Sequence, residues 1–184
     1  MNAVITLRPA SDEDDALLYE IYASTRAEEV AAVDWPVAQK TAFLQMQFGA
    51  QRQHYLAHYP AATCAIVQLD GLDIGRLILD RTADEIQLMD IALLPVYRNC
   101  GIGAHLIAAL QTEAQSTGKS MRLHVHNFSP AIRLYQRLGF TLIAEKGFYW
   151  EMTWRPDHAG PGAATSQAKR GIPNAGKFEA ALCV

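Results

Sequence analysis

Hydrophobic and polar residues follow two periods along the chain, one typical of strands and one typical of helices. The strand period comes first, from Val4 to Arg8, and Pro9 closes it before an acidic run that suits a helix N-terminus. The helix that follows is predicted to continue towards Val30, with a buried stripe at Leu18, Ile21, Tyr22 and Thr25. The stretch from Pro36 to about Tyr59 keeps the helical period and predicts a second helix.

The middle of the chain predicts three strands and then a helix. Two β-rich segments, Thr63 to Leu69 and Leu72 to Asp80, are joined by Asp70-Gly71, a pair suited to a tight hairpin turn. A third strand is predicted from Glu85 to Leu94, and a helix follows that stops near Gly118.

The last third predicts a half-buried strand, a short helix and two final strands. Apolar residues at 121, 123 and 125 alternate with Arg122, His124 and His126. A helix runs from Ser129-Pro130 to Leu138, and the final strands are about 140–145 and 148–154. The order β-α-α-β-β-β-α-β-α-β-β predicts a mixed α/β (α+β) domain over residues 4–155. Residues 156–184 are predicted to form a flexible tail, because glycine, alanine and proline dominate much of that stretch.

The composition of the chain limits the classes of function that are expected. A chain of 184 residues with 50% apolar content suits one compact domain. With 16 Lys and Arg against 19 Asp and Glu, the chain lacks the basic field that nucleic acid or acidic membranes require, so small-molecule or peptide partners are favoured. Three scattered cysteines predict neither disulfides nor a metal site. Because no leader or membrane-spanning run is evident, a cytoplasmic location is predicted.

A glycine-containing turn after the third central strand predicts a phosphate site. Gly101 and Gly103 open a helix, where main-chain N–H groups and the helix dipole attract anions, and Arg98 adds a charge. A dinucleotide-binding Rossmann fingerprint would need a small residue where Leu106 stands, and no Gly-Lys-Ser/Thr of a Walker loop follows. The remaining pattern is Arg98-x-x-Gly101-x-Gly103-Ala104.

Two segments resemble motifs of the GNAT superfamily of acyltransferases. The first resembles the acyl-CoA pyrophosphate loop: Leu94-Pro95-Val96-Tyr97-Arg98-Asn99-Cys100-Gly101-Ile102-Gly103-Ala104-His105-Leu106. The second, Asn127-Phe128-Ser129-Pro130-Ala131-Ile132-Arg133-Leu134-Tyr135-Gln136-Arg137-Leu138-Gly139-Phe140, resembles the motif Asn-x-x-Ala-x-x-x-Tyr-x-x-x-Gly-Phe. Both occur in the family order, and the resemblance covers roughly residues 4–154.

The resemblance implies a fold, an activity and a donor site. The fold would be a mixed, mostly antiparallel sheet of about seven strands flanked by four helices. The activity would be direct transfer of an acetyl group from acetyl-CoA to a primary amine, without a metal, and homodimers are a family tendency. The residues expected to contact acetyl-CoA are Ile91, Ala92, Leu93, Arg98, Asn99, Cys100, Gly101, Ile102, Gly103, Ala104, Asn127 and Arg133.

The same resemblance assigns the general acid but leaves the base open. Tyr135 occupies the position of the family's usual acid, which protonates the departing thiolate. Some members use a glutamate as base where this chain has Gln87. Asp90 is the nearest carboxylate and is the candidate base, although strand alternation places it opposite Gln87 and Ile91. A water-mediated route, and Glu28 or Glu29, stay as alternatives.

Two other functions compete with the enzyme. Gln87 suits a catalytically silent acyl-CoA-binding module, which would bind the donor without turnover. A Rossmann-type protein would bind NAD instead. His124 and His126 share one strand face beside the expected site, where they either relay protons or follow ordinary surface alternation. Acceptor choice is expected to depend on the segments 25–36 and 145–148.

Overall fold

A computed structural model describes residues 3–156, so the predicted tail, apart from Pro156, lies outside the described residues. Seven strands form one sheet in the order β1-β2-β3-β4-β5-β7-β6. The strands are β1 Ile5–Pro9, β2 Thr63–Leu69, β3 Leu72–Arg81, β4 Glu85–Leu93, β5 Ser120–His126, β6 Thr141–Lys146 and β7 Tyr149–Trp154. The helices are α1 Asp15–Thr25, α2 Ala27–Ala31, α3 Val37–His58, α4 Ile102–Thr117 and α5 Ala131–Arg137.

The predicted mixed, mostly antiparallel sheet is confirmed. Within residues 3–156, β4 and β5 are the one parallel pair, and the other neighbours are antiparallel. This arrangement does not suit the Rossmann alternative, which requires an essentially parallel sheet. None of the described helices is long and apolar enough to cross a membrane.

The first helical region differs from the prediction of one continuous helix. Helix α1 ends at Thr25, and Arg26 has a ψ of 1°, outside the helical range. The hydroxyls of Ser24 and Thr25 donate to carbonyls three residues back, and such bonds compete with the helical ladder. A separate short helix, α2, follows with no buried residue, so the buried stripe does not reach Val30.

The main core lies between the sheet and helices α4 and α5. Leu77 of β3 and Ile91 of β4 are almost completely buried with Ile107 of α4 and Met121 of β5. Burying one such aliphatic side chain contributes roughly 1.5–3 kcal/mol. The α4 stripe predicted from its apolar period is therefore the face that holds this helix to the sheet.

A β-bulge interrupts the pairing of β4 with β3 at Met89. Gln87 lies opposite Asp80 and Asp90 lies opposite Ile78, while Met89 has no partner in the register. Asp80 and Ile78 are two residues apart on a strand and so share one face. Gln87 and Asp90 therefore share that face as well, and the prediction that they lie on opposite faces is wrong because the extra residue reverses the alternation.

The bulge coincides with the point where the sheet opens. Pairing between β4 and β5 ends at Leu88 opposite Leu123, although β4 continues to Leu93 and β5 to His126. The edge of β4 from residue 89 to 93 therefore faces a gap between the two strands. The chain leaves β4 through a 3-10 turn, Pro95–Tyr97, and enters α4 beside this gap.

Candidate active site

The turn that leads into α4 has the backbone shape predicted for an anion site. Asn99 and Gly101 are both in the left-handed region, with φ of 59° and 81°. The main-chain N–H of His105 donates to the carbonyl of Gly101 at 3.0 Å, which places the first helical hydrogen bond there. The preceding N–H groups of Ile102, Gly103 and Ala104 have no carbonyl within the helix to bind. These groups, with the helix dipole, form a site suited to a phosphate oxygen.

Arg98 ties this turn to the rest of the fold. Its Nε donates to the carbonyl of Leu93 at 2.8 Å, and its Nη2 donates to the Ser24 hydroxyl at 2.8 Å. The guanidinium thus joins the end of β4 to the end of α1. The predicted contact of Arg98 with a phosphate stays a prediction, and the structure adds a role in positioning the turn.

The other predicted donor-binding residues lie in the turn before α4, directly after β5, on α5 and at the end of β4. Cys100 is exposed in the turn, and its thiol donates to the carbonyl of Arg98 at 3.3 Å. Asn127 is exposed directly after β5, and its main-chain N–H donates to the carbonyl of Phe148. Arg133 is exposed on α5. Ile91, Ala92 and Leu93 are buried, so only their main chain is suited to contact a ligand in the gap.

Tyr135 lies on α5 in the main core. Its side chain is fully buried, and its ring meets Phe140 edge to face with centroids 5.8 Å apart. Helix α5 follows β5 through a short loop, which places Tyr135 on the sheet face that also carries Ile91. Its role as the general acid stays a prediction that this location fits.

Asp90 is held in a buried ion pair with Arg76. The Arg76 Nε is 2.5 Å from the Asp90 Oδ2, and Gln51 of α3 accepts a hydrogen bond from the same guanidinium at 3.2 Å. Burial raises the pKa of the Asp90 carboxyl, and the positive charge of Arg76 opposes that rise. A proton taken from an amine would neutralise the Asp90 carboxylate that pairs with Arg76. Its assignment as the base therefore stays a prediction, and proton transfer to it would weaken the ion pair with Arg76.

The alternative bases lie on α2. Glu29 accepts a hydrogen bond from Arg26 at 3.2 Å, and its side chain is 62% exposed. Glu28 is also exposed. Both belong to the short helix that follows the break at Arg26.

A polar cluster that sequence analysis did not anticipate lies on strands β5, β6 and β7. Its centre is Glu151, which is 4% exposed. Lys146 lies 2.7 Å from the Glu151 carboxylate, Arg122 is also paired with it, and the imidazole of His124 lies 4.0 Å away. The sequence gives only an isolated acidic residue in an aromatic strand, so the pattern of β7 alone could not have identified this cluster.

A cavity of about 240 Å³ opens on the sheet face opposite α4. Its lining includes Tyr55 and Phe48 of α3, Cys64 of β2 and Arg76 of β3. It is therefore separate from the phosphate-type turn and from the β4–β5 gap. Across residues 3–156, no group of three or more His, Cys, Asp or Glu side chains is arranged to hold a metal ion.

Comparisons with known proteins agree with this geometry. Residues 60–142 match the acetyltransferase (GNAT) domain. The [ribosomal protein bS18]-alanine N-acetyltransferase of Haemophilus influenzae is 33% identical over 78 residues, which cover 41% of this chain and 53% of that protein. The chain thus matches about half the length of this curated relative.

Solved structures show the same fold. The PaiA N-acetyltransferase of Thermoplasma acidophilum, in complex with coenzyme A, has a TM-score of 0.63 at 19% identity, covering 83% of this chain and 99% of that one. The ribosomal-protein-S18-alanine N-acetyltransferase of Escherichia coli has a TM-score of 0.59 at 21% identity, covering 88% and 100%. A GNAT family acetyltransferase of Elizabethkingia anophelis with acetyl-CoA bound has a TM-score of 0.54 at 16% identity, covering 82% and 97%. The domain match over residues 60–142, the two sequence motifs and the fold therefore all resemble those of GNAT acetyltransferases.

Proposed function

We propose that this protein is an acetyl-CoA-dependent N-acetyltransferase that acts on a primary amine of a small molecule or a peptide. The observation that carries the proposal is the position of the β4–β5 gap beside the left-handed turn at Gly101. One ligand in which a pyrophosphate is joined to an extended arm would occupy both features. Coenzyme A has this shape.

The donor would bind mainly through the main chain. Its pyrophosphate would accept hydrogen bonds from the N–H groups at the start of α4, between residues 101 and 104. Its pantetheine arm would lie along the open edge of β4, from Ile91 to Leu93. Two similar solved structures contain bound coenzyme A or acetyl-CoA, which supports this choice of ligand.

The reaction needs an amine, a polarised thioester and a proton for the leaving group. The amine nitrogen attacks the thioester carbon, and main-chain N–H groups of β4 stabilise the negative oxygen that forms. The carbon–sulfur bond then breaks. Tyr135, buried on α5 on the sheet face that also carries Ile91, donates its phenolic proton to the thiolate, and general acid catalysis of this kind contributes about 10²–10⁴-fold.

The acceptor is proposed only as a class. Two relatives are named as alanine N-acetyltransferases of a ribosomal protein, so a peptide with N-terminal alanine is a sensible first acceptor to test. Spermidine and free lysine represent the small-molecule amines. The cytoplasmic location and the homodimer stay predictions.

A catalytically silent acyl-CoA-binding module is the second candidate. It is favoured by Gln87 in place of an acidic residue and by the ion pair that holds Asp90. Such a module would bind acetyl-CoA with no turnover, so binding and catalysis must be measured separately.

Titration calorimetry with acetyl-CoA, using NAD and ATP as controls, tests the donor site. Release of the free thiol in the presence of an alanine-initiated tetrapeptide, spermidine or lysine then tests catalysis. Saturable binding of acetyl-CoA alone, followed by acceptor-dependent thiol release, supports the enzyme. Binding without thiol release with any acceptor favours the silent module, and absence of acetyl-CoA binding refutes both.

A further inference from the structure

His124 and Glu151 are direct partners across the β5–β7 pair. Facing residues on adjacent antiparallel strands have side chains on the same side of the sheet. The His124 Nε2 lies 4.0 Å from the Glu151 Oε2, and the two side chains are 19% and 5% exposed. At this distance the contact is an ion pair whenever the imidazole carries a proton.

His124 also lies where β5 separates from β4 and the gap begins. Leu123 is the last residue of β5 that pairs with β4, and its side chain is buried in the main core. Because side chains alternate along a strand, His124 points to the opposite face. His124 is therefore the first β5 residue beyond the point of opening, on the sheet face away from Tyr135.

Glu151 is an anion in this environment. Burial by itself would raise the pKa of its carboxyl, but the hydrogen bond from Lys146 and the charges of Lys146, His124 and Arg122 outweigh burial and lower the pKa. The carboxylate is thus charged at neutral pH. A fixed negative charge beside an imidazole favours the protonated imidazolium.

We propose that His124 is the general base of the acetyl transfer and that Glu151 is its positioning residue, a proposal that rests on the proposed function. The acceptor approaches the gap from the His124 face as an ammonium ion. His124 takes one of its protons and passes it to solvent at the open face, which leaves a neutral amine with a free electron pair.

The remaining bond changes follow this proton transfer. The amine nitrogen forms a bond to the thioester carbon, the carbon–sulfur bond breaks, and the thiolate takes the phenolic proton of Tyr135. The surplus proton of the new amide nitrogen restores the phenol through water. The net products are the acetylated amine, coenzyme A and one proton in solvent.

Other charged or titratable groups lie near the His124–Glu151 pair, on β5 itself and on β4, β6 and β7. They are Arg122 and His126 on β5, Glu85 on β4, Lys146 on β6, and Tyr149 and Glu151 on β7. Arg122 is shared between Glu85 and Glu151. The two carboxylates therefore balance the two cations, and protonation of His124 adds one positive charge beside Glu151.

The pH dependence of kcat/KM for an alanine-initiated tetrapeptide tests the base directly. In the wild-type enzyme we expect kcat/KM to rise with pH through one inflection as His124 loses its proton. In His124→Gln we expect this inflection to disappear and kcat/KM to fall about 10²-fold. The Kd of acetyl-CoA should stay unchanged. His126→Gln, which alters a histidine on the same strand face, should keep the inflection.

Retention of the inflection in His124→Gln would overturn the proposal while leaving the proposed function intact. If the wild-type protein did not bind acetyl-CoA, or released no thiol with any of the acceptors, the proposed function would be refuted and this inference with it. A further measurement tests the pairing of His124 with Glu151 in the absence of any acceptor. The imidazole signal of His124, assigned by its loss in His124→Gln, should titrate at a lower pH in Glu151→Gln by nuclear magnetic resonance, and an unchanged titration would remove Glu151 from the proposal.

Discussion

Arg76 and Asp90 join strands β3 and β4 through an ion pair with 2.5 Å between Nε and Oδ2, and their side chains are only 3% and 2% exposed. Gln51 of α3 accepts a second hydrogen bond from Arg76. The pair lies next to the bulge at Met89, which places Asp90 on the face that holds Arg76. A bulge and an ion pair therefore cooperate to position the part of β4 that borders the gap.

Removing one member of this pair should destabilise the protein severely. Asp90→Asn leaves the Arg76 guanidinium buried without a countercharge, which typically costs about 3–5 kcal/mol. Urea denaturation measures the loss. The double variant Arg76→Met/Asp90→Leu buries no charge and should recover much of the lost free energy of unfolding. A single variant within about 1 kcal/mol of wild type would contradict a structural role for the pair.

The same substitution tests Asp90 as the base. If Asp90 accepts the proton, Asp90→Asn should remove an inflection from the pH–rate profile at a temperature where the variant is folded. We expect the inflection to persist, because the Asp90 carboxylate already binds Arg76. An unchanged profile would end the assignment of Asp90.

Tyr135→Phe should slow turnover without weakening donor binding. The variant removes only the hydroxyl, so the thiolate would leave without a proton donor and kcat should fall about 10²-fold or more. Tyr55→Phe is the matched control, since Tyr55 lies near Arg76 on the other side of the sheet and burial raises its pKa well above the usual value. Steady-state kinetics and calorimetry separate the two effects. Near-wild-type turnover in Tyr135→Phe would remove it from the mechanism.

Gly101→Ala should weaken acetyl-CoA binding, whereas Gly118→Ala should not. Both glycines flank α4 with positive φ, 81° and 67°, and a Cβ at either position would meet open space. Each substitution should therefore cost a similar conformational strain of about 1–2 kcal/mol. Only Gly101 belongs to the proposed phosphate turn. Equal acetyl-CoA affinities in the two variants would show that the turn at Gly101 does not hold the donor.

Features governed by neighbouring residues could be predicted from the sequence. The hairpin at Asp70-Gly71, the turn at Gly101 and the end of α4 at Gly118 all depend on positive φ values, which the structure has at each glycine. Both motifs also lie where predicted, one at the start of α4 and one across α5. Such features depend on residues that are close together in the chain, so the sequence pattern is enough to predict them.

Features that depend on how distant strands align could not be predicted in this way. The bulge at Met89 reverses the side-chain alternation of β4, and simple period-two reasoning therefore placed Asp90 on the wrong face relative to Gln87. The roles of Arg76 and Glu151 could not be predicted either, because each residue forms its ion pair with a partner on another strand. The register between strands decides these contacts.

Gly75 illustrates this dependence and allows a final test. It lies opposite Leu93 on β4, and a Cβ at this position would overlap the carbonyl oxygen of Ala92 and lie 2.6 Å from the Leu93 Cδ2. A main-chain atom in the middle of a sheet cannot move aside cheaply, so Gly75→Ala should cost about 1–3 kcal/mol. It should also weaken acetyl-CoA binding, because the displaced residues form the edge proposed to hold the pantetheine arm.

Gly49→Ala is the matched control for this substitution. Gly49 lies within α3, and a Cβ there would meet nothing within 4 Å. Because alanine lowers the conformational entropy of the unfolded chain and favours helix, this variant should gain about 0.5–1 kcal/mol. Thermal denaturation and acetyl-CoA titration of both variants give the comparison. If Gly75→Ala matched Gly49→Ala in both measurements, β4 would have room to shift, and the close approach of β3 to the donor edge would not be required.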